Sequence, residues 1–563
     1  MEPSSPTTHC RLALWLILPA YLATLVQGAC APYPVPLRLG NVSLSNGKEA
    51  RGVELTVGTP EQKFALIPHN GQNGTLLYAT NGVCDPNGAN KWSRTSCTTL
   101  RGGSYDSAAS NTSKPTSDNV FIDDDGWPGI KPITDATKLS TNVTLDDFAM
   151  GMVLSDADVS GSTMMFLGLA KNSTILSALK NSGKIASRTW SLFWGRGFGM
   201  PSQSDGHIIF GGYDRAKASG QRHTEPMTIG NAHCKSQLIV TVTDLTLNFD
   251  NGSDVSLFTS GSEPFPSCIM TEGPLAMRMH FNPFFSNMMR KTSDNTISTL
   301  KRALGYYYWT SLYGPQQKPY EGALTITLSS GLKIRLDRDQ LITPHVYLHE
   351  QSGEMLLNAT EHDLLIDPLG DDGNEYMAQF GFQFLSAAYL QVNYETSEFS
   401  LWAANPTADE DIVALDPSGK DVTEYCAVEA GDGNEDANSG GNSGGDSGAG
   451  GGSDAPSTEP SKSSPTLSPG VIAGIAVGGA AVGALIVGAA VWFCRRRKSK
   501  AKSSTPPDMV QDTHFKPELQ ADELPRKTPL TSELDNGHAP FIQRYEIGDN
   551  VDPRYTRRYE MPG

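Results

Sequence analysis

The chain has 563 residues, of which 38% are hydrophobic, and a formal net charge of −17 at pH 7. This length corresponds to about two or three domains of ordinary size. The excess of acidic side chains repels phosphate backbones, which argues against nucleic acid as a partner.

The N-terminus has the pattern of a secretory signal peptide. Arg11 precedes an apolar run that is interrupted by Pro19 and resumes as far as Val26. We expect residues 1–28 to be a signal peptide that is cleaved after Gly28. An uncleaved signal anchor is the alternative, but the run is short and broken by proline.

A second apolar run covers residues 471–493 and contains 23 residues without a charge. That length crosses a hydrocarbon core of roughly 30 Å. A basic cluster follows from Arg495, and basic residues are retained on the cytoplasmic side. We therefore expect a single-pass type I protein of the plasma membrane, with an extracellular ectodomain and a cytoplasmic tail at 494–563. A lipid (GPI) anchor is not expected, because the chain continues beyond the run.

Two segments lack the large apolar side chains that a core requires. Residues 429–470 are rich in Gly, Ser and Pro, which is typical of a disordered, O-glycosylated stalk. The tail at 494–563 is polar and rich in proline and is also expected to be disordered. Cytoplasmic partners of the tail are not identifiable from its sequence.

Six cysteines lie between the predicted signal peptide and the apolar run: Cys30, Cys84, Cys97, Cys234, Cys268 and Cys426. An even number in an oxidising compartment predicts three disulfides. Six cysteines allow 15 pairings, and their number alone does not choose among them. Since no Cys-x-x-Cys pair occurs, structural zinc is not expected, and no other metal or cofactor is predicted.

Glycosylation sequons are confined to the predicted ectodomain. They begin at Asn41, Asn73, Asn111, Asn142, Asn172, Asn251 and Asn358. This distribution predicts a glycosylated, extracellular segment.

Residues 50–405 have the pattern of an all-β protein with few helices. Short alternating or apolar runs are separated by clusters of Gly, Asn, Asp and Ser; they cover residues 53–57, 64–67, 238–249, 324–328, 332–336 and 389–394. A few helical stretches are predicted, such as those at 174–181 and 283–290.

Four segments carry a combined pattern, at residues 51–62, 166–170, 205–214 and 380–390. They resemble segments of the pepsin-like aspartic peptidases, particularly fungal, membrane-anchored members. Residues 51–62 resemble the opening strand of that family and 166–170 its Leu-Gly-Leu segment. Residues 205–214 resemble its Phe-Gly-Gly turn and 380–390 its final Gly-x-x-Phe-Leu strand. The resemblance implies an ectodomain at 29–428 with two β-lobes, at about 50–225 and 226–405, on either side of a long cleft.

Active members of that family use one Asp from an Asp-Thr/Ser-Gly loop in each lobe, and the two carboxylates share a proton. Neither triplet occurs within residues 50–405. Alignment with the family places His69 at the first Asp position, with Gly71 kept, and Thr271 at the second, with Gly273 kept. We therefore expect a peptidase-like fold without an intact catalytic pair.

A functional alternative is an acid–base pair of His69 and Glu272. In the family, the side chain after the catalytic Asp points away from the water site, which argues against this pair. The flap tyrosine has no clear match, because residues 121–126 occupy its region. A glycan on Asn73 would obstruct substrate entry at the rim of the first loop.

Other candidate sites are better explained by ordinary structure. Asp123, Asp124 and Asp125 have the pattern of a solvated acidic loop rather than a cation site. Gly211 and Gly212 follow a strand without opening a helix, which predicts a turn. The histidines at 345, 349 and 362 lack metal-ligand spacing and are expected at the surface.

The resemblance also implies a disulfide pairing. Cys84 and Cys97 fall in one loop region of the first lobe, and related peptidases carry a bridge in the second lobe, where Cys234 and Cys268 lie. Both chain ends approach the sheet beneath the lobes in the pepsin-like fold, which pairs Cys30 with Cys426.

Three functions remain open from the sequence. The leading hypothesis is a non-enzymatic cell-surface protein whose cleft binds peptide or cell-wall material. An active membrane-tethered aspartic endopeptidase is the rival, and a structural surface glycoprotein without a cleft ligand is the third.

Overall fold

The computed structural model describes residues 30–426 except 82, 85–92, 119, 121–129, 155–163, 202, 294–300 and 370–375. All of these described residues belong to one compact unit. The predicted signal peptide, stalk, apolar run and tail lie outside the described residues. Within the part that is described, no helix has the length and apolar character to cross a membrane.

The first half of the ectodomain contains twelve strands among its described residues. They are β1 (Val35–Ser43), β2 (Glu49–Val57), β3 (Gln62–His69), β4 (Leu76–Tyr78), β5 (Lys114–Pro115), β6 (Ile130–Ser140), β7 (Val143–Val153), β8 (Phe166–Gly168), β9 (Thr189–Phe193), β10 (Gly206–Phe210), β11 (Gly212–Asp214) and β12 (Ala218–Pro226). Two α-helices, α1 (Arg94–Leu100) and α2 (Thr174–Asn181), and a 3-10 turn at Arg215–Lys217 connect them.

The second half contains sixteen further strands in its described part. They are β13 (Ile239–Asn248), β14 (Asp254–Ser256), β15 (Phe265–Ile269), β16 (Met277–His280), β17 (Lys301–Gly305), β18 (Tyr308–Tyr313), β19 (Ala323–Leu328), β20 (Lys333–Leu336), β21 (Ile342–Leu348), β22 (Met355–Leu364), β23 (Ile366–Leu369), β24 (Ala378–Phe380), β25 (Ala388–Asn393), β26 (Glu398–Ala404), β27 (Ile412–Leu415) and β28 (Asp421–Val422). The helical segments are Phe281–Phe285, α3 (Ser286–Thr292), α4 (Arg338–Leu341) and a 3-10 turn at Phe384–Ser386.

One large sheet joins the two halves of the chain. Its thirteen strands follow the order β12-β26-β25-β9-β10-β1-β2-β3-β8-β4-β7-β6-β5. Strand β25 from the end of the chain pairs antiparallel with β9, so that Leu390 lies opposite Leu192. All six residues of β25 are buried, which is expected of a strand in the interior of a sheet that is covered on both faces.

The second lobe is built on a separate sheet. Its order is β20-β19-β13-β15-β24-β16-β23, with β14 added beside β13. Four strands, β17-β18-β22-β21, form another sheet in this half of the chain. A small fourth sheet combines β11 from the first half with β27 and β28. The all-β, two-lobed architecture that was expected from the sequence is therefore present.

A continuous apolar core supports both lobes. Trp194 from the first half stacks on Phe382 from the second, with ring centroids 3.9 Å apart. Burying each such side chain stabilises the fold by about 1.5–3 kcal/mol. Helix α2, which the sequence predicted at these residues, begins after Ser173, whose hydroxyl accepts a hydrogen bond from the Leu176 amide at 3.3 Å.

All three predicted disulfides are confirmed. The Cα–Cα distances are 4.8 Å for Cys30–Cys426, 5.5 Å for Cys84–Cys97 and 5.6 Å for Cys234–Cys268. The first joins residues 396 positions apart. In the chain-entropy model, that long loop restricts the unfolded state by roughly 4–6 kcal/mol.

Candidate functional site

Two loops with matching geometry meet between the lobes. The first follows β3, which pairs in parallel with β8, and the second follows β15, which pairs in parallel with β24. The Gln72 amide donates to the His69 carbonyl at 3.3 Å, and the Gly273 amide donates to the Met270 carbonyl at 3.3 Å. Each strand therefore ends in the same type of turn.

Asn70 and Thr271 lock these two turns together through four hydrogen bonds. The Asn70 amide donates to Thr271 Oγ1 at 3.0 Å, and the Thr271 amide donates to Asn70 Oδ1 at 3.2 Å. Thr271 Oγ1 also donates to the Pro68 carbonyl at 2.8 Å, and Asn70 Nδ2 donates to the Ile269 carbonyl at 3.0 Å. Every bond made by one loop has a counterpart made by the other, so a local two-fold axis relates the loops.

This symmetry corrects the predicted register in the second lobe. The sequence alignment placed Thr271 opposite His69, but Thr271 exchanges its bonds with Asn70. The residues that precede each member of the exchange are His69 and Met270. Met270, and not Thr271, is therefore the counterpart of His69.

Gly273 also lies at a different position in the second loop from the one predicted. Because the register shifts by one position, Glu272 corresponds to Gly71, and Gly273 corresponds to Gln72. The spacing between Thr271 and Gly273 suggested a preserved glycine at the site, yet that glycine lies one residue beyond it. The sequence signal that would have given the right register is the side chain of Thr271, which can both donate and accept a hydrogen bond.

The structure brings together a pair that the sequence analysis argued against. His69 Nδ1 lies 3.5 Å from Glu272 Oε2, and both side chains are less than one-fifth exposed. The Gly71 amide donates to His69 Nδ1 at 3.3 Å, and the imidazole and the Phe166 ring pack edge to face with centroids 5.0 Å apart. Glu272 Oε2 is buried and has no hydrogen-bond partner among the described residues.

Two glycines allow the strands beside these loops to approach closely. A Cβ on Gly168 would overlap the carbonyl oxygen of Gly74, and a Cβ on Gly381 would overlap those of Gly273 and Leu275. Any side chain at either position would push the paired strand away from the loop. Glycine at both positions therefore allows the strands to pack close to the two loops and helps to position them.

Asn73 connects the first loop to the start of α2. Its Oδ1 accepts a hydrogen bond from the Asn172 amide at 2.9 Å, and its carbonyl accepts one from the Thr174 amide at 2.8 Å. Asn73 is partly buried. A glycan on its amide nitrogen stays a prediction.

The remaining sequons differ in exposure. Asn111, Asn142, Asn172 and Asn251 are exposed, whereas Asn41 and Asn358 are partly buried. At Asn251 and Asn358 the side-chain oxygen accepts hydrogen bonds from the amide and hydroxyl two residues on. The Asn358 amide nitrogen also donates to Glu361 at 2.7 Å.

Three histidines were expected at the surface, and this prediction is wrong for His345, which is buried. Its Nδ1 lies 2.9 Å from Asp363 Oδ1, inside the sheet of β17, β18, β21 and β22. Burial alone would lower the pKa of His345, but the hydrogen bond and charge of Asp363 outweigh it and raise this pKa above 6.5. His349 is exposed and His362 is partly buried.

Two other predicted features can be located. Gly211 has φ 80° between β10 and β11, which confirms the predicted turn, because positive φ favours glycine. The acidic run Asp123, Asp124 and Asp125 lies outside the described residues. Among the residues that are described, no group of three His, Cys, Asp or Glu could hold a metal ion.

An Asp-Ser-Gly triplet does occur in the chain, at Asp446. It falls in the predicted stalk, far in sequence from β3 and β15, and outside the described residues. It has no place in the two loops that meet between the lobes.

The interlocked loops and the parallel strands that carry them define a two-lobed protein of the pepsin type. Residues 52–259 match the family model described as eukaryotic aspartyl protease. Over these residues the chain is similar to the pepsin-like aspartic peptidases.

Curated fungal proteins are similar to part of this chain. The chain is 28% identical over 233 residues to candidapepsin-4 of Candida albicans (strain WO-1), covering 39% of this chain and 54% of that protein. It is 27% identical over 242 residues to secreted aspartic protease 6 of Candida albicans, covering 39% and 53%. It is 26% identical over 239 residues to a probable aspartic-type endopeptidase, OPSB, of Arthroderma benhamiae (strain ATCC MYA-4681 / CBS 112371), covering 39% and 44%. The chain thus spans about half the length of the curated relatives it matches.

Among solved structures, the aspartic proteinase from Irpex lacteus aligns with a TM-score of 0.42 and 14% identity. The alignment covers 67% of this chain and 100% of that chain.

Proposed function

We propose that this protein is a catalytically inactive member of the family that binds peptide or cell-wall material in its cleft at the cell surface. The observation that carries the proposal is the identity of the two residues related by the loop symmetry. They are His69 and Met270, an imidazole and a thioether.

Peptide hydrolysis by this fold requires two carboxyl groups that share one proton. One carboxylate activates water while the other protonates the carbonyl oxygen of the substrate. Met270 has no titratable proton, and the charged form of His69 is a cation rather than an anion. These two side chains cannot reproduce the charge distribution of the pair.

Glu272 supplies a single carboxylate beside His69. Its oxygen lies 3.5 Å from Nδ1, so its neighbour is an imidazole and not a second carboxyl group. An imidazole beside a carboxylate cannot provide the proton that two acids share in the family's mechanism. The contact therefore supports a binding site more directly than it supports an aspartic peptidase mechanism.

The proposed location is the plasma membrane, with the ectodomain outside and residues 471–493 spanning the bilayer. The apolar run, the basic cluster after it, the sequons and the three disulfides support this proposal. Protease treatment of intact cells that carry a C-terminal tag tests it. The tag should be protected, and its digestion from outside would refute the topology.

The affinity of two matched peptide-like ligands separates the three functional hypotheses. One ligand carries a statine-type hydroxyl, which mimics the tetrahedral intermediate, and the other has a methylene in its place. A working carboxyl pair binds the mimic at least about a hundredfold more tightly than a ground-state analogue.

We expect both ligands to bind the full-length protein with affinities within about threefold of each other, because no carboxyl pair is present to hold the hydroxyl. A large preference for the hydroxyl ligand would instead establish the active endopeptidase. Failure of both ligands to bind at millimolar concentration would favour the structural glycoprotein.

A further inference from the structure

The centre of the cleft contains an acceptor without a donor. Glu272 Oε2 is buried and has no hydrogen-bond partner among the described residues. A buried carboxylate oxygen that lacks a donor loses the hydrogen bonds that water would supply, a cost larger than for a neutral group. This oxygen can therefore accept a hydrogen bond from a further donor.

The imidazole of His69 does not fill that role in the arrangement observed. A backbone amide can only donate, and the Gly71 amide donates to His69 Nδ1 at 3.3 Å. The proton of the neutral ring then lies on Nε2. Nδ1 and Glu272 Oε2 are consequently two acceptors that lie 3.5 Å apart.

We propose that this position recognises an ammonium group, as carried by a lysine side chain, in the peptide that occupies the cleft. An ammonium is a compact charge with three hydrogens that can be directed separately, so it can donate to Oε2 and to a neighbouring acceptor at once. A planar guanidinium is better matched to two oxygens of one carboxylate. The net charge of −17 also favours the approach of a cationic ligand.

This inference rests on the proposed function, since it assigns a ligand class to the same cleft. It can be tested on the full-length protein with fluorescent octapeptide mixtures whose termini are blocked. The fourth residue is fixed as lysine, norleucine or glutamate, and the other positions are randomised. Fluorescence anisotropy gives the affinity of each mixture.

Two substitutions show whether a preference for lysine comes from Glu272 or from the general negative charge of the surface. Glu272→Gln keeps the shape and removes the charge at the centre of the cleft. Glu263→Gln makes the same change in net charge at an exposed position of the second lobe. We expect the lysine mixture to bind about tenfold more tightly than the norleucine mixture, as a charged hydrogen bond provides. This ratio should fall to within about twofold in Glu272→Gln and stay unchanged in Glu263→Gln.

The other outcomes overturn the inference in different ways. Equal binding of the three mixtures would reject ammonium recognition and leave peptide binding in the cleft intact. A lysine preference that persists in Glu272→Gln would assign it to general surface charge. Cleavage of the mixtures, or no binding of any of them, would reject the proposed function together with the inference.

Discussion

Asn70 and Thr271 exchange backbone-to-side-chain hydrogen bonds of 3.0 and 3.2 Å across the boundary between the lobes. Both residues are fully buried although they lie 201 positions apart in the chain. The exchange fixes the register of the two loops. It therefore determines which side chains face the centre of the cleft.

Replacing Thr271 by valine tests the importance of this exchange. Valine keeps the shape of threonine but leaves the Asn70 amide and the Pro68 carbonyl without their partner. Each buried unsatisfied group costs about 1–3 kcal/mol, so for two groups we expect a loss of about 2–6 kcal/mol in the free energy of unfolding. Urea denaturation followed by tryptophan fluorescence measures this loss.

Thr343→Val is the matched control. Thr343 is also buried, but its Oγ1 has no hydrogen-bond partner among the described residues. Replacing an unpartnered hydroxyl by a methyl should leave the stability unchanged or raise it slightly. Equal losses in the two variants would show that the exchange between the loops contributes no stability.

Most of the fold could be predicted from the sequence because local patterns specify it. The apolar runs at 53–57 and 324–328 lie within β2 and β19, and the helix predicted at 174–181 has those bounds. The sheet of β17, β18, β21 and β22 was not predicted. Its two hairpins are joined by the pairing of β18 with β22, in which Ser311 lies opposite Leu364, and local periodicity carries no information about such a distant pairing.

The candidate site was predicted less well. His69 was recognised because it follows a clear strand, β3, at the position that the family resemblance indicates. The register of the second loop differs from the prediction because it depends on the hydrogen-bonding side chain of Thr271 and not on Gly273. The contact between His69 and Glu272 depends on how the two lobes meet, and that is a tertiary feature.

A second prediction concerns the close approach at Gly381. We expect Gly381→Ala to lower the free energy of unfolding by about 1–3 kcal/mol, because the new Cβ would overlap the carbonyl oxygens of Gly273 and Leu275. In Gly314→Ala the new Cβ would meet only Gln317 Oε1, at 3.7 Å. Chemical denaturation of both variants should show a loss at position 381 alone. A Gly381→Ala protein as stable as the parent would contradict the close packing described here.

A third prediction concerns acid sensitivity through His207. Burial, with a further contribution from the charge of Lys217, lowers the pKa of His207 from 6.5 to about 3. Between pH 3 and pH 6.5, His207 therefore binds a proton in the unfolded chain but not in the folded chain. The free energy of unfolding is therefore not reduced by this histidine above pH 6.5. It decreases as the pH falls from 6.5 toward 3, by up to about 1.4 kcal/mol per pH unit.

The variant His207→Gln removes this titration. Its free energy of unfolding should fall less steeply than that of the parent between pH 6.5 and 4, in urea titrations at several pH values. His233→Gln, which changes an exposed histidine, should keep the parental slope. Identical slopes for all three proteins would show that His207 is not responsible for the acid sensitivity.

We expect the protein to have no peptidase activity, because positions 69 and 270 hold no carboxyl pair. Incubating unfolded protein with the purified full-length chain tests this expectation most directly. The measurement is mass spectrometry of the products after incubation between pH 3 and 6, with and without a statine-type inhibitor. The structure predicts no fragments above the background of a protein-free sample at any pH. Turnover that the inhibitor abolishes would contradict the claim.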